Sequence, residues 1–93
     1  DVFMFWKNTI RLIGPKGTII LMDLVRPKTN FELQKKLTKY GGSDPILLRD
    51  FENSLRAAYT IDEVTAQLKT FNEITFTIKT VSDRHFFVTI NNR

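Results

Sequence analysis

The chain has 93 residues, 14 Lys and Arg against 10 Asp and Glu for a net charge of +4, and 42% hydrophobic residues, eight Phe and one Trp among them. That length holds at most one domain, of a size that buries roughly 60–65% of its unfolded surface, and the apolar content is that of a folded chain. The absence of cysteine removes disulfides, thiolate nucleophiles and cysteine-based metal sites and fits a cytoplasmic protein, while no apolar run approaches the ~18 residues of a membrane span.

Asp1 can cap a helix whose Phe3, Trp6, Ile10 and Ile13 fall on one face. Gly14-Pro15-Lys16-Gly17 ends it and turns the chain into a strand at Thr18–Leu24. This strand is apolar without alternation from Ile19 to Met22, the mark of a central strand of a parallel sheet, buried on both faces. Arg26-Pro27 stops it. Thr29 with Glu32 three residues on is a capping box for a helix with Leu33, Leu37 and Tyr40 on one side.

After Gly41-Gly42, Asp44 and Pro45 open a third helix with Leu48, Phe51, Leu55 and Ala58 inward. A second capping box, Thr60 to Glu63, begins a fourth helix with Ile61, Val64, Leu68 and Phe71 on one face and Asn72 as a left-handed terminator. From Ile74 the period falls to two: Ile74, Phe76 and Ile78 point one way, Thr75, Thr77 and Lys79 the other. Ser82-Asp83-Arg84 is the turn into a returning strand, His85–Asn91.

The tight hairpin makes the last two strands antiparallel. Polarity then orders the sheet, with His85–Asn91 between Thr18–Leu24 and an edge strand at 74–81 that runs parallel to the first. The expected class is α/β, with one central parallel strand, a terminal antiparallel hairpin and four helices. In such sheets ligands sit beyond the carboxyl ends of strands, which places Asp23 and Arg26 at a working edge. The Ser82–Arg84 turn falls at the same end.

The segments Phe5-Trp6, Met22-Asp23-Leu24 with Arg26-Pro27, Leu48-Arg49-Asp50-Phe51, Asn53-Ser54-Leu55 with Ala57-Ala58, and Val81-Ser82-Asp83-Arg84-His85, in this order and spacing, resemble a family. It is the C-terminal half of a Rossmann-like class I S-adenosylmethionine-dependent methyltransferase domain, as in small bacterial proteins of unassigned substrate. The resemblance covers essentially the whole chain. It implies that residues 1–93 are a single partial domain of a parent transferring methyl to an unidentified acceptor. It also implies that the donor-binding Gly-rich loop and acid belong to a missing N-terminal half. The chain alone is then expected to bind no cofactor and to be inactive.

On the same resemblance, Arg26, Arg84 and His85 would hold an acceptor, Asp23 or Asp83 would orient it, and Asn53 and Ser54 would line a lid. Plainer roles stand beside these. Asp23 and Arg26 can pair or cap at a strand end, a lone His85 is commonly a hydrogen-bonded structural residue, and no metal site is expected from one histidine. Asp83-Arg84 has the composition of a solvated turn, Asn53-Ser54 can bond to local backbone, and Lys35, Lys36 and Lys39 read as a solvated helix face.

The expected partners are the missing half and the acceptor, with no membrane. A rival reading is a nucleic-acid module, since Arg84–Ile90 has the look of the aromatic strand of RNA-recognition domains. It needs Phe86 or Phe87 exposed, whereas the methyltransferase reading buries both. A third reading is a homodimer through the uncovered edge of strand 18–24.

Overall fold

A computed structural model describes all 93 residues, Asp1–Arg93. Its elements in chain order are α1 (Val2–Ile13), β1 (Thr18–Leu24), α2 (Asn30–Tyr40), α3 (Pro45–Ala57), α4 (Ile61–Leu68), β2 (Ile74–Thr80) and β3 (His85–Asn92). No helix is long and apolar enough to cross a membrane.

The helix starts follow from local chemistry. The Asp1 carboxylate accepts from the Met4 amide, and that of Asp44 from the Ile46 and Leu47 amides with Pro45 at the first helical position. At α4 the Thr60 hydroxyl accepts from Glu63 N–H while the Glu63 carboxylate accepts from Thr60 N–H, the full reciprocal box. At α2 only half of the expected box forms: Thr29 Oγ1 accepts from Glu32 N–H, 3.1 Å. The turn into β1 uses Gly14 at φ 74° and Lys16 at φ 58°, the one non-glycine residue with positive φ. A Cβ at Gly17 would collide with the Ile13 carbonyl oxygen, so the strand can leave α1 this closely only through glycine.

The sheet order is β1-β3-β2, with β3 inserted antiparallel between the other two, the order expected. All paired strands are antiparallel, however, and β1 is an edge strand, not a central strand of a parallel sheet. Its burial alternates: Ile19 and Leu21 turn toward the core while Ile20 is 62% and Met22 60% exposed. The helices that pack on the sheet, α1 and α4, meet one face of it. Continuous apolarity thus marks two apolar faces, of which this chain covers one.

Phe87 follows the same rule. On β3, Phe86, Val88 and Ile90 face the helices and Phe87 is 37% exposed opposite Met22, so the expectation that Phe86 and Phe87 are both buried holds only for Phe86.

The main core joins Trp6 and Ile10 of α1, Val64 and Leu68 of α4, and Ile74, Phe86, Val88 and Ile90 of the sheet. Phe3 lies outside it at 48% exposure, because α1 is rotated to bury Trp6, Thr9 and Ile10. Helix α4 stops at Leu68, ahead of Phe71, and Asn72 has no left-handed backbone. A second core of Leu33, Leu37 and Leu55, with Leu48, Phe51 and Leu24 against it, holds α2 to α3 and touches the sheet through the last residue of β1. It lies beyond the sheet's end, and the molecule is accordingly 46 Å long and 21 Å across. Ala58, expected inward on α3, is the residue after that helix.

One polar pair is buried in the main core: Trp6 Nε1–H donates to Gln67 Oε1 at 2.8 Å, fixing α1 against α4. Replacing Gln67 by Met keeps the volume and orphans the indole N–H, which should cost about 1–3 kcal/mol. Urea unfolding followed by Trp6 fluorescence measures this, and an unchanged midpoint would mean that the bond contributes nothing net.

Candidate functional site

The carboxyl end of β1 and the β2–β3 turn share one end of the sheet, since Leu24 lies opposite His85 and Val25 N–H donates to the Arg84 carbonyl at 2.8 Å. Two constellations form there, one polar and one apolar.

The polar one is centred on Asp83. Its carboxylate accepts from the Tyr40 hydroxyl at 2.8 and 2.9 Å and from Arg84 Nη1 at 3.2 Å, with Lys39 and Lys36 Nζ at 3.7 and 3.8 Å. The Arg84 guanidinium also lies 3.8 Å from the centre of the Tyr40 ring, a cation over an aromatic face. Tyr40's hydroxyl first, then Arg84, Lys39 and Lys36, hold the Asp83 carboxyl below the ordinary carboxylate range, against partial desolvation. Lys36 is therefore drawn to this corner, with its side chain only 15% exposed, rather than being part of a solvated face.

Beside it, Ser82 Oγ accepts from the Arg84 and His85 amides at 3.2 and 3.0 Å and lies 3.0 Å from His85 Nδ1. Asp83, Arg84 and His85 thus build the turn and dock it on α2.

Arg26 is bound elsewhere. Its Nη2 lies 3.0 Å from Glu63 Oε1 and its N–H donates to the Tyr59 carbonyl. The Thr60 backbone N–H first and Arg26 second hold the Glu63 carboxyl below its usual range. Arg26 also borders a recess of about 250 Å³ with Lys28, Arg56 and the start of α2, but Arg56 is already paired with Glu52 at 2.9 Å. Asn53 and Ser54 are exposed on α3, and neither shares a hydrogen bond or cavity with the other expected site residues. The seven residues therefore divide. Asp83, Arg84 and His85 stand together, Arg26 serves the start of α4, Asn53 and Ser54 stand apart, and Asp23 alone enters the apolar constellation.

That constellation is a cavity of about 370 Å³ between α1, the carboxyl half of β1, the start of β3 and the α3–α4 connection. Phe5 and Trp6, Tyr59 and Phe86 supply aromatic surface, Met22 the rim, and Asp23 the one charged group. Asp23 Oδ1 accepts from Leu24 N–H at 2.8 Å, which fixes the carboxylate at the strand's edge. Phe5 packs edge-on against Trp6, ring centres 5.1 Å apart. The sequence does carry a signal for this wall, because Phe5 and Tyr59 are large aromatics out of phase with the buried stripes of the helices beside them. Residues of that kind mark either a surface or a cleft.

Comparison with protein families, with curated proteins and with solved structures found no match to this chain.

Tyr40→Phe should raise the folded-state pKa of Asp83 toward its ordinary value. A lowered folded pKa gives stability that is present above the unfolded pKa of about 4 and lost as pH falls through the folded value. The variant should therefore lose less stability than the parent between neutral and acid pH. Carbon-detected NMR titration of Asp83 beside urea unfolding at both pH values reads this, and an unmoved titration would show that Tyr40 does not hold the carboxylate.

Proposed function

We propose that the chain is the acceptor-side part of an S-adenosylmethionine-dependent methyltransferase domain. One observation carries this. The last strand is inserted antiparallel between the first and second, with helices on one face only and the far face and outer edge of β1 open and apolar. A last strand inserted antiparallel also belongs to the family that those sequence segments resemble, and an open edge at β1 is where the fourth strand of such a domain would be added. The finer assignment of the sheet as Rossmann-like belongs to this proposal.

The chain's own residues do not fit the methyl donor. Neither Gly14-Pro15-Lys16-Gly17 nor Gly41-Gly42 follows a strand and opens a helix, as a cofactor-cradling loop does, and the cavity offers apolar walls and a single carboxylate rather than partners for a nucleoside. The donor would be held by the other half. The part left to this chain is positioning: the apolar cavity holds the acceptor and Asp23 orients it, which is where much of the rate of a two-substrate transfer originates.

The open edge also favours a second reading, a homodimer of this chain through β1, because exposed apolar edges pair with other chains. A nucleic-acid surface would have to be built on Phe87 alone of the two rings, beside Met22 and Thr89.

The reading frame upstream of Asp1 decides the first reading. A strand, a Gly-rich turn and, about 20 residues on, an acid at a strand end are expected; a start codon directly before Asp1 would overturn it. Sedimentation of the 93-residue chain addresses the second reading. A dimer dispersed by Ile20→Lys would favour it, and a monomer at high micromolar concentration would remove it.

A further inference from the structure

We propose that the cavity beside β1 binds a small organic amine, its apolar body against the aromatic walls and its ammonium on Asp23. This names the acceptor class for the methyltransferase reading and in that use rests on it: the bound ammonium loses a proton to solvent, its freed lone pair forms the N–CH3 bond as the donor's S–CH3 bond breaks, and the donor leaves as a neutral thioether. As a binding site it stands on the cavity alone.

Size comes first. About 370 Å³ lies at the small end of the ~300–1,000 Å³ range of ligand clefts. It suits a ligand of one ring and a short chain. The walls come next. Nine of the ten lining residues are hydrophobic, and Phe5, Trp6, Tyr59 and Phe86 bring four rings to one space. Such walls favour an apolar or aromatic body, and ring faces attract a cation further.

Charge selects the head group. In a chain of net charge +4, no basic side chain lines this cavity and the one ionisable acid in it is Asp23. Asp23 belongs to no ion pair, unlike Glu52, Glu63 and Asp83. One of its oxygens is occupied by Leu24 N–H. The other is left for a donor from the ligand, and an ammonium–carboxylate hydrogen bond is among the stronger ones available. An anionic ligand would meet the carboxylate with no compensating cation, and a neutral one would forgo the charge.

The cavity is partly preformed. Trp6 is pinned by its bond to Gln67 and Phe86 and Val64 are buried, so two sides are rigid. The open sides are Phe5, 52% exposed, and Tyr59, 40% exposed.

Trp6 is the only tryptophan and lines the cavity, so its fluorescence reports occupancy directly. The 93-residue chain is titrated with phenethylamine, with 2-phenylethanol as the neutral match in shape and with phenylacetate as the anion. Saturable binding of the amine is expected, about tenfold tighter than the alcohol on the strength of one charge-assisted contact, with phenylacetate weakest. Asp23→Asn keeps an oxygen for Leu24 N–H and so should keep the urea midpoint while erasing the preference for the amine. Tyr59→Ala should weaken amine and alcohol by similar factors.

Equal binding of amine and alcohol, a preference that survives in Asp23→Asn, or no saturable binding by a chain whose cooperative urea transition shows it folded would each overturn the proposal. The two readings fail separately. Amine binding without an upstream donor half keeps the site and removes the methyltransferase, and a donor half without amine binding does the reverse.

Discussion

Everything in this molecule is hung on β3. Its hydrogen bonds alternate between neighbours: Arg84 and Asn92 bond toward β1, while His85 and Arg93 bond toward β2, so the strand has no free edge. Its inward side chains, Phe86, Val88 and Ile90, are the floor on which α1 and α4 rest. A strand paired on both sides and covered on one face is the element whose loss releases the rest. The two strands it holds do not pair with each other, because β1 and β2 lie on opposite sides of it, and otherwise they meet only through the main core. Between α1 and α4, beyond the apolar core, the side-chain hydrogen bond is that of Trp6 to Gln67.

The second core is attached by different means. Leu24 touches it, but α2 and α3 stand beyond the sheet, and the Asp83 cluster is what fixes their orientation. Tyr40, Lys36 and Lys39 of α2 converge on a carboxylate in the β2–β3 turn. Apart from Lys36, these are exposed or half-exposed groups whose individual contributions are small and screened by salt. The hairpin of α2 and α3 is therefore more loosely joined than α1 or α4, and the long axis of the molecule runs through that joint.

Much of this was legible in the residues. The caps at Asp44-Pro45 and Thr60/Glu63 were, because each depends on side chains within three positions. The strand order was, because the short turn pairs β3 with β2 and the alternating polarity of β2 assigns it to an edge. What was misread is instructive. Ile20, Met22 and Phe87 signal burial by their chemistry, and a chain of amino acids does not record whether burial is by its own helices or by something else. The link from Tyr40 to Asp83 crosses 43 residues, and no local period reveals it. The cavity draws its walls from α1, β1, α4, β3 and a connection, so its residues carry only scattered signals: Asp23 by its position at a strand end, Phe5 and Tyr59 as aromatics out of phase with the buried stripes.

The hydrogen bond from Leu24 N–H to Asp23 has one more consequence. Asn92 N–H donates to the Gly17 carbonyl and Val25 N–H to the Arg84 carbonyl, which places the odd-numbered residues of β1 inward in the ladder and leaves the groups of Thr18, Ile20, Met22 and Leu24 facing the open edge. At Leu24 the donor is already taken. Any strand that lengthens the sheet, whatever chain it belongs to, finds pairing sites from Thr18 to Met22 and then meets a carboxylate instead of a free amide. The added strand must end or veer away after Met22, alongside the cavity whose wall includes Leu21, Met22 and Asp23. A single side chain thereby acts as a stop in the sheet's growth.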